Sequence, residues 1–407
     1  MRKVHGLGYK FDRAIRPRNN QVFNSRAANT NFIDIKMSNK RVEHLIETRA
    51  FTRQTLPGGM PKGSSLEAEV KRLLQEWEEE RKGFLRVKSR MLYKTLHDRS
   101  SQPKGFLALI TEHPQAVQSF SVYPSNLGPL EIRDQQGVIL GYRFRIPNQL
   151  IETLNESTTH LPTAKRAQVG GGNPNIRGNY QCRHYAVWAD YASKYRESGE
   201  LERDGDDGRA WLDANQELFN FCSHQLRLVS PEQYVRMTGA VAKDMRRFKG
   251  KTGMRFNPLA GAWHGVAINQ GMQEDESESH QDVMDNKGLF NCVVPFGDGF
   301  GGGDLVLWEM KMRIGLQVGD GFFFFGSMVA HKVAPITDGI RNSLDLFTHA
   351  SNFHVLERHQ EQANKKKYPQ KKYKVRREAD NEKAKKVPEN IKARRLIMEG
   401  KKARQRA

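Results

Sequence analysis

Apolar residues follow two different spacings along this chain, and the change falls near residue 255. Before it, helical periods dominate. Leu66, Val70, Leu73, Leu74 and Trp77 recur at three- and four-residue steps and predict an amphipathic helix. Ser64 and Glu67 ahead of them form a capping-box pattern. The stretch "EWEEERKGFLRVKSRMLYKTL" is read as its continuation, broken near Gly83. Residues 148–161, 186–198, 210–226 and 230–248 read as further helices, the last with Ser230 as cap and Pro231 at the first helical position. Residues 128–147 instead predict two strands around a turn at Asp134–Gly137. After 255, short apolar runs alternate with Gly, Asp and Asn: "AWHGVAIN", "SHQDVM", "LFNCVVPF", "GDLVLWEM", "GLQVGDGFFFFG", "AHKVAPI", "NSLDLFTH". Seven or eight strands in so short a span predict a sandwich or jelly roll. "FFFF" at 322–325 is read as a buried strand. The fold class is therefore α+β: a double-stranded β-helix (jelly roll) core with a helical N-terminal layer. The boundaries are an irregular arm at 1–63, a helical and mixed part of the catalytic domain at 64–254, the core at 255–357 and a basic, largely disordered tail at 358–407.

Charge sharpens the picture at one end. Of the 407 residues, 66 are Lys or Arg and 46 Asp or Glu, a net +20. Residues 360–407 hold 18 of the bases and 6 of the acids, so +12 sits on a segment with little apolar side chain to bury. Two readings fit: a nucleic-acid arm, with "KKKYPQKKYKVRR" as a nuclear address, or a solvated tail. The three cysteines, Cys182, Cys222 and Cys292, stand far apart, which suits a reducing compartment and argues against a thiolate metal site. No apolar run is long enough to predict a membrane span. "RDGDDG" at 203–208 lacks the rest of a calcium loop and is read as a turn.

Candidate chemistry gathers in the strand-rich block. His280 and Asp282, two apart in "SHQDVM", share a face if the segment is extended. His331 follows about 50 residues later, on a separate predicted strand. An H-x-D pair with a distal His is the facial-triad pattern of non-haem Fe(II) oxygenases. Arg341, ten residues after His331, begins the next predicted strand. In a jelly roll that offset brings a guanidinium beside the metal, where it matches the far carboxylate of 2-oxoglutarate. Each residue has a plainer reading: a core or surface histidine, or a surface salt bridge for Arg341. The four together at these offsets favour the metal centre. The loop "QVGGGNPNIRGN" at 168–179 is either a connector or a close approach to a ligand, with Asn175 and Arg177 as candidate contacts to a base or a DNA backbone.

The sequence between residues 120 and 358 resembles the TET/JBP family of 2-oxoglutarate/Fe(II) nucleic-acid dioxygenases, most of all its fungal, transposon-associated branch. The resemblance rests on "FNPLAGAWHGVAIN", on His280-Gln281-Asp282 with Asn286 after it, on "FGGGDLVLWEMKMRIGLQVGDGFFFFGSMVAHKV", and on "GIRNSL" followed by "FTHAS". It implies that Asp285 faces the edge of a flipped base, and that Phe347 and His349 stack on and bond to it. It implies Fe(II) and 2-oxoglutarate as cofactors, O2 as cosubstrate and double-stranded methylated DNA as partner. The implied reaction oxidises 5-methylcytosine to its 5-hydroxymethyl, 5-formyl and 5-carboxyl forms, in a nuclear monomer. The chain departs from the pattern at "EDESES" (274–279), where some relatives place an arginine for the cosubstrate. Asn269, His264 and Ser327 are the unranked candidates for that contact. Rival expectations are an N6-methyladenine demethylase of the same mechanism, a protein hydroxylase, and a non-catalytic DNA-binding protein.

Overall fold

The computed structural model describes residues 31–56, 59–100, 114–162, 180–189, 194–273 and 277–367, with backbone alone at 31–38, 114 and 364–367. Six strands precede residue 255: β1 (Leu85–Lys88), β2 (Ser121–Tyr123), β3 (Leu130–Arg133), β4 (Ile139–Arg145), β5 (Gln181–Ala189) and β6 (Tyr195–Glu197). Nine follow: β7 (Gly265–Met272), β8 (Asn291–Phe296), β9 (Phe300–Gly302), β10 (Leu305–Leu307), β11 (Met312–Ile314), β12 (Asp320–Phe324), β13 (His331–Val333), β14 (Ile336–Gly339) and β15 (Arg341–Phe347). The large sheet runs β1-β3-β4-β12-β8-β15-β7-β5-β6, the small one β13-β10-β11-β2, with a β9–β14 ribbon beside them.

Chain order and sheet order together define the jelly roll. From β7 the chain leaves the large sheet, pairs His280 with His331 on β13, and returns to β8. It then crosses to β10 and β11, back to β12, over to β13 and back to β15. All ladders among these strands are antiparallel. Two antiparallel sheets formed this way close on each other, and their inward side chains meet between them. The chain is α+β, with this core and a helical layer on the outer face of the large sheet.

Alternation along β12 separates the two faces. Phe323 packs outward against Tyr142, Phe144, Trp263 and Phe290, and Phe144 reaches Phe221 in helix Gln216–Val229. Phe324 turns inward, its ring 4.8 Å from that of His331. The four phenylalanines are buried, as a strand in the middle of a covered sheet requires. Helix Leu66–Glu80 is fixed to the outer face by Trp77, whose Nε1 donates to Tyr142 Oη at 3.2 Å.

Several expected elements differ. The cap of helix Leu66–Glu80 is Ser65, which accepts from Ala68 N at 3.1 Å. Ser64 donates to Pro61 O instead. The helix does not run on past Gly83, because "LRVK" pairs with β3 as the sheet's outermost strand. The stretch expected to be helical at 186–198 instead holds the end of β5 (to Ala189) and β6 (Tyr195–Glu197), which pair with each other, while the first part of β5, residues 181–186, pairs with β7; aromatic and β-branched side chains favour that half-buried sheet position. The 210–226 stretch is two helices, Gly199–Ala214 and Gln216–Val229, meeting at Asn215. "RDGDDG" lies inside the first, where Gly205 takes φ 56° and kinks the helix. Pro231 does start helix Pro231–Arg236, but the Ser230 side chain does not cap it. The arm expected to be irregular contains helix Asn31–Glu47, with Val42 and Leu45 buried.

Residues 1–353 and 354–407 are separate units. Helix Ser351–Lys367 runs from the first into the second; the rest of the basic tail lies outside the described residues. No helix among the described residues is long and apolar enough to cross a membrane.

Candidate active site

The H-x-D segment runs beside β13 without forming a named strand. Ser277 N donates to Val333 O at 3.1 Å, His280 N to His331 O at 3.0 Å, and His331 N back to His280 O at 2.8 Å. Asp282 N donates to Gly326 O at 2.9 Å. These bonds bring side chains 50 residues apart together. His280 Nε2 stands 3.8 Å from Asp282 Oδ1, and His331 Nε2 3.5 Å from Asp282 Oδ2. The potential ligand atoms all lie within 4.8 Å of one another, the one such gathering of three among the described residues. Each ring is oriented through its other nitrogen: His280 Nδ1 meets Glu278 O at 2.7 Å, and His331 Nδ1 meets Val329 O at 2.9 Å. A carbonyl only accepts, so each Nδ1 carries the proton and each Nε2 lone pair faces the carboxylate side. Two neutral imidazoles and one carboxylate on one face fit Fe(II).

Supports behind this face hold it in place. Gly326 leaves room for the Asp282 carboxylate; a Cβ there would come within 2.6 Å of Oδ2. Gln281 points the opposite way from its two neighbours and donates to Met328 O at 3.1 Å and to Glu309 Oε1 at 3.4 Å. Glu309 Oε2 accepts from Ala330 N at 2.8 Å. Glu309 thus ties together the residue between His280 and Asp282 and the residue before His331. Glu309→Ala is expected to weaken Co(II) binding by roughly 10–100-fold, the range for residues that orient ligands, whereas Glu309→Gln keeps most of the affinity by calorimetry. Burial pushes the Glu309 carboxyl up to about 8 from an ordinary 4.5. The folded chain therefore holds that proton more tightly than the unfolded chain. The associated stability is full below about 4.5 and is lost as pH rises through about 8. Glu309→Gln cannot ionise, so its melting temperature should fall less over that window than that of the wild type.

The triad opens into a cavity of about 630 Å³, inside the usual range for ligand sites of about 300–1,000 Å³. Strand alternation lines one wall: Arg341, Ser343, Asp345 and Phe347 of β15 all face it. Arg341 is 2% exposed. Its Nε and Nη2 have no hydrogen-bond partner. Burial lowers its pKa to about 10, against the attraction of Asp345 and Tyr180, so it stays charged at neutral pH. Arg143 provides the contrast. That guanidinium is also fully buried, but it donates to the carbonyls of Gly128, Tyr123, Gly315 and Pro124 at 2.6–3.0 Å. Arg143 stitches the fold; Arg341 is a buried cation with donors to spare, facing the same cavity as the triad. Such donors match a carboxylate, and the site fits 2-oxoglutarate. Of the unranked candidates for its other carboxylate, Asn269 lines the cavity and is held by Asp345 at 2.9 Å. His264 and Ser327 are buried elsewhere.

Asp285, Phe347 and His349 line the same cavity. Asp285 Oδ2 accepts from Asn291 Nδ2 at 2.7 Å, and Asp285 bridges His349 through the backbone. His349 Nδ1 accepts from Ser351 N at 3.1 Å and lies 2.7 Å from Ser351 Oγ. The neutral ring therefore carries its proton on Nε2. Asn175 and Arg177 lie outside the described residues. Sequence reading missed Cys182, His184 and Trp188 on β5, with Glu200 beside them. His184 stands edge-on to Phe347, centroids 6.1 Å apart, and 3.8 Å from Cys182 Sγ. The signal was present in "QCRHYAVW": at a period of two, 182, 184 and 188 share a face, whereas the helix expected at 186–198 separates 188 from the other two.

No family model matches the chain, and no curated protein does. Among solved structures it is similar to NgTET1 in complex with 5mC DNA, at 16% identity and TM-score 0.40 over 64% of this chain and 92% of that one. It is also similar to the viral collagen prolyl hydroxylase of Paramecium Bursaria Chlorella virus-1 in its 2OG complex, at 11% identity and TM-score 0.28 over 51% and 94%. A third is OsALKBH1, at 13% identity and TM-score 0.30 over 51% and 96%.

Proposed function

We propose that the chain is an Fe(II)- and 2-oxoglutarate-dependent dioxygenase that oxidises 5-methylcytosine in double-stranded DNA, a member of the fungal TET-like branch. The observation that carries the enzymatic part is Arg341, a buried cation with two unpartnered N–H atoms in the cavity that holds His280, Asp282 and His331. In this reading the triad ligates the metal, and Arg341 takes the far carboxylate of the keto acid. Bound Fe(II) supplies O2 activation coupled to decarboxylation of 2-oxoglutarate, so that one methyl hydroxylation yields succinate and CO2. The buried Phe324 and Val293 help exclude water from the chamber.

The substrate part rests on three groups. Phe347 offers a ring face for stacking. Asp285 accepts from an exocyclic amine. His349 Nε2–H donates to a ring nitrogen or carbonyl. One acceptor, one donor and one aromatic face match the Watson–Crick edge of an extruded cytosine. Asn175 and Arg177 are proposed to contact the base or its backbone, and the basic segment 360–407 to act as a nuclear address and a DNA arm for a monomer.

The test is to incubate the chain with Fe(II), 2-oxoglutarate and either a proline-containing peptide or duplexes bearing 5-methylcytosine or N6-methyladenine, then weigh the nucleosides, the peptide and succinate by mass spectrometry. Hydroxymethyl-, formyl- and carboxylcytosine are expected. Loss of methyladenine alone would reassign the substrate. Hydroxylated peptide without nucleic-acid product would make the chain a protein hydroxylase, and no succinate with any substrate would make it a non-catalytic binder.

A further inference from the structure

The turn between Asp282 and Asp285 carries two side chains with no role so far. Val283 and Met284 are 50% and 57% exposed, the only adjacent pair of exposed large apolar residues among those described. Both line the cavity together with Asp282 and Asp285. The turn is not loosely held. Val283 N donates to Gln281 O at 2.9 Å, Asp285 N to Asp282 O at 2.8 Å, and Ala350 N to Met284 O at 2.9 Å. A fixed backbone therefore presents two apolar side chains to solvent at the chamber that holds the triad and Arg341.

Building on the nucleic-acid reading above, we infer that Val283 and Met284 form a wedge that enters the base stack of a duplex at the step the target base leaves. Position argues for it. One four-residue turn holds the metal-facing Asp282, the wedge and the base-facing Asp285, so the wedge lies a fixed, short distance from the chamber that receives the base. Chemistry argues for it too. The gap left by an extruded base is lined above and below by flat apolar faces and flanked by phosphates. Methionine, unbranched and polarisable, adapts to aromatic faces, and a chain of net charge +20 suits the phosphates around such a gap. A peptide threaded into the chamber has no stack for the pair to fill.

The experiment compares wild type, Val283→Ser/Met284→Ser and Met284→Leu on one 5-methylcytosine strand in three forms: fully paired, single-stranded, and paired with an abasic site opposite the target. The readout is kcat/KM for oxidised nucleoside. The double serine variant should lose roughly tenfold or more on the paired duplex, where unstacking is hardest. It should stay within about twofold of wild type on the single strand and lose less on the abasic duplex than on the paired one. Met284→Leu should retain activity on all three. Equal losses on paired and single-stranded DNA, or no loss on the duplex, would overturn the wedge while leaving the catalytic reading intact. A wild type inactive on all three forms overturns the nucleic-acid reading itself, and the wedge with it. Unchanged single-strand activity in the serine variant also shows that it folds.

Discussion

Replacing Asp282 with alanine should remove metal binding and succinate formation and leave a folded chain. Asp282 is the residue common to both contacts of the triad, with one oxygen towards each imidazole. The two histidines alone offer neither the negative charge nor the third ligand of a facial site. Loss of a group that ligates directly should exceed the roughly 10–100-fold cost of removing a group that only orients a ligand. The fold should tolerate the change. The Asp282 side chain is 21% exposed, its backbone bond to Gly326 does not depend on the side chain, and stability should shift by no more than about 1 kcal/mol. Titration with Co(II) and a thermal melt on one sample check both halves. A variant that still binds Co(II) tightly and still makes succinate would remove the metal centre proposed here.

Arg341→Met should separate stability from function in opposite directions. The wild-type guanidinium is buried, and two of its nitrogens have no acceptor. Each such group carries a desolvation cost of about 1–3 kcal/mol. Methionine fills similar space without that cost, so the ligand-free variant should be as stable as wild type or more so, as when apolar residues replace buried charges. The KM for 2-oxoglutarate should rise by roughly two orders of magnitude or more, because the keto acid loses a bidentate cation. With Mn(II) in place of Fe(II), 2-oxoglutarate should raise the melting temperature of wild type and leave that of the variant unchanged. A variant that is much less stable and still responds to the keto acid would make Arg341 a structural residue of the Arg143 kind.

The parts of this molecule that could be read from sequence depend on short-range pattern. His331 and Arg341 stand at fixed offsets on strands, H-x-D lies on an extended segment bridged to His331, and the jelly roll supplies the pairing that makes those offsets meet. Phe322–Phe325 could be placed in a buried strand because only a sheet covered on both faces takes so long an apolar run. The failures came where tertiary pairing overrode local signal. Residues 187–189 suit a helix until Tyr195–Glu197 pairs with them as β6; with residues 181–186, which pair with β7, left unread, Cys182, His184 and Trp188 could not be seen as a wall. Glu309 was invisible for another reason. Its significance is its contact with Gln281 and with Ala330, 28 and 21 residues away, and nothing in "LWEM" announces either partner. The unsatisfied state of Arg341 is likewise a fact of three dimensions.

The sheet order also bears on where this protein can be divided. Strand β12 is flanked by β4, and β7 by β5, so both borders of the jelly roll are completed by residues from before 255. A fragment starting at that position would keep every residue of the triad and Arg341, yet present two bare strand edges, one of them the phenylalanine run. Bare edges recruit neighbouring molecules. Such a fragment should self-associate into inactive aggregates, and extending it back to residue 121, which restores β2 to β6 and the helices Gly199–Ala214 and Gln216–Val229 on the outer face, should restore a soluble, metal-binding particle.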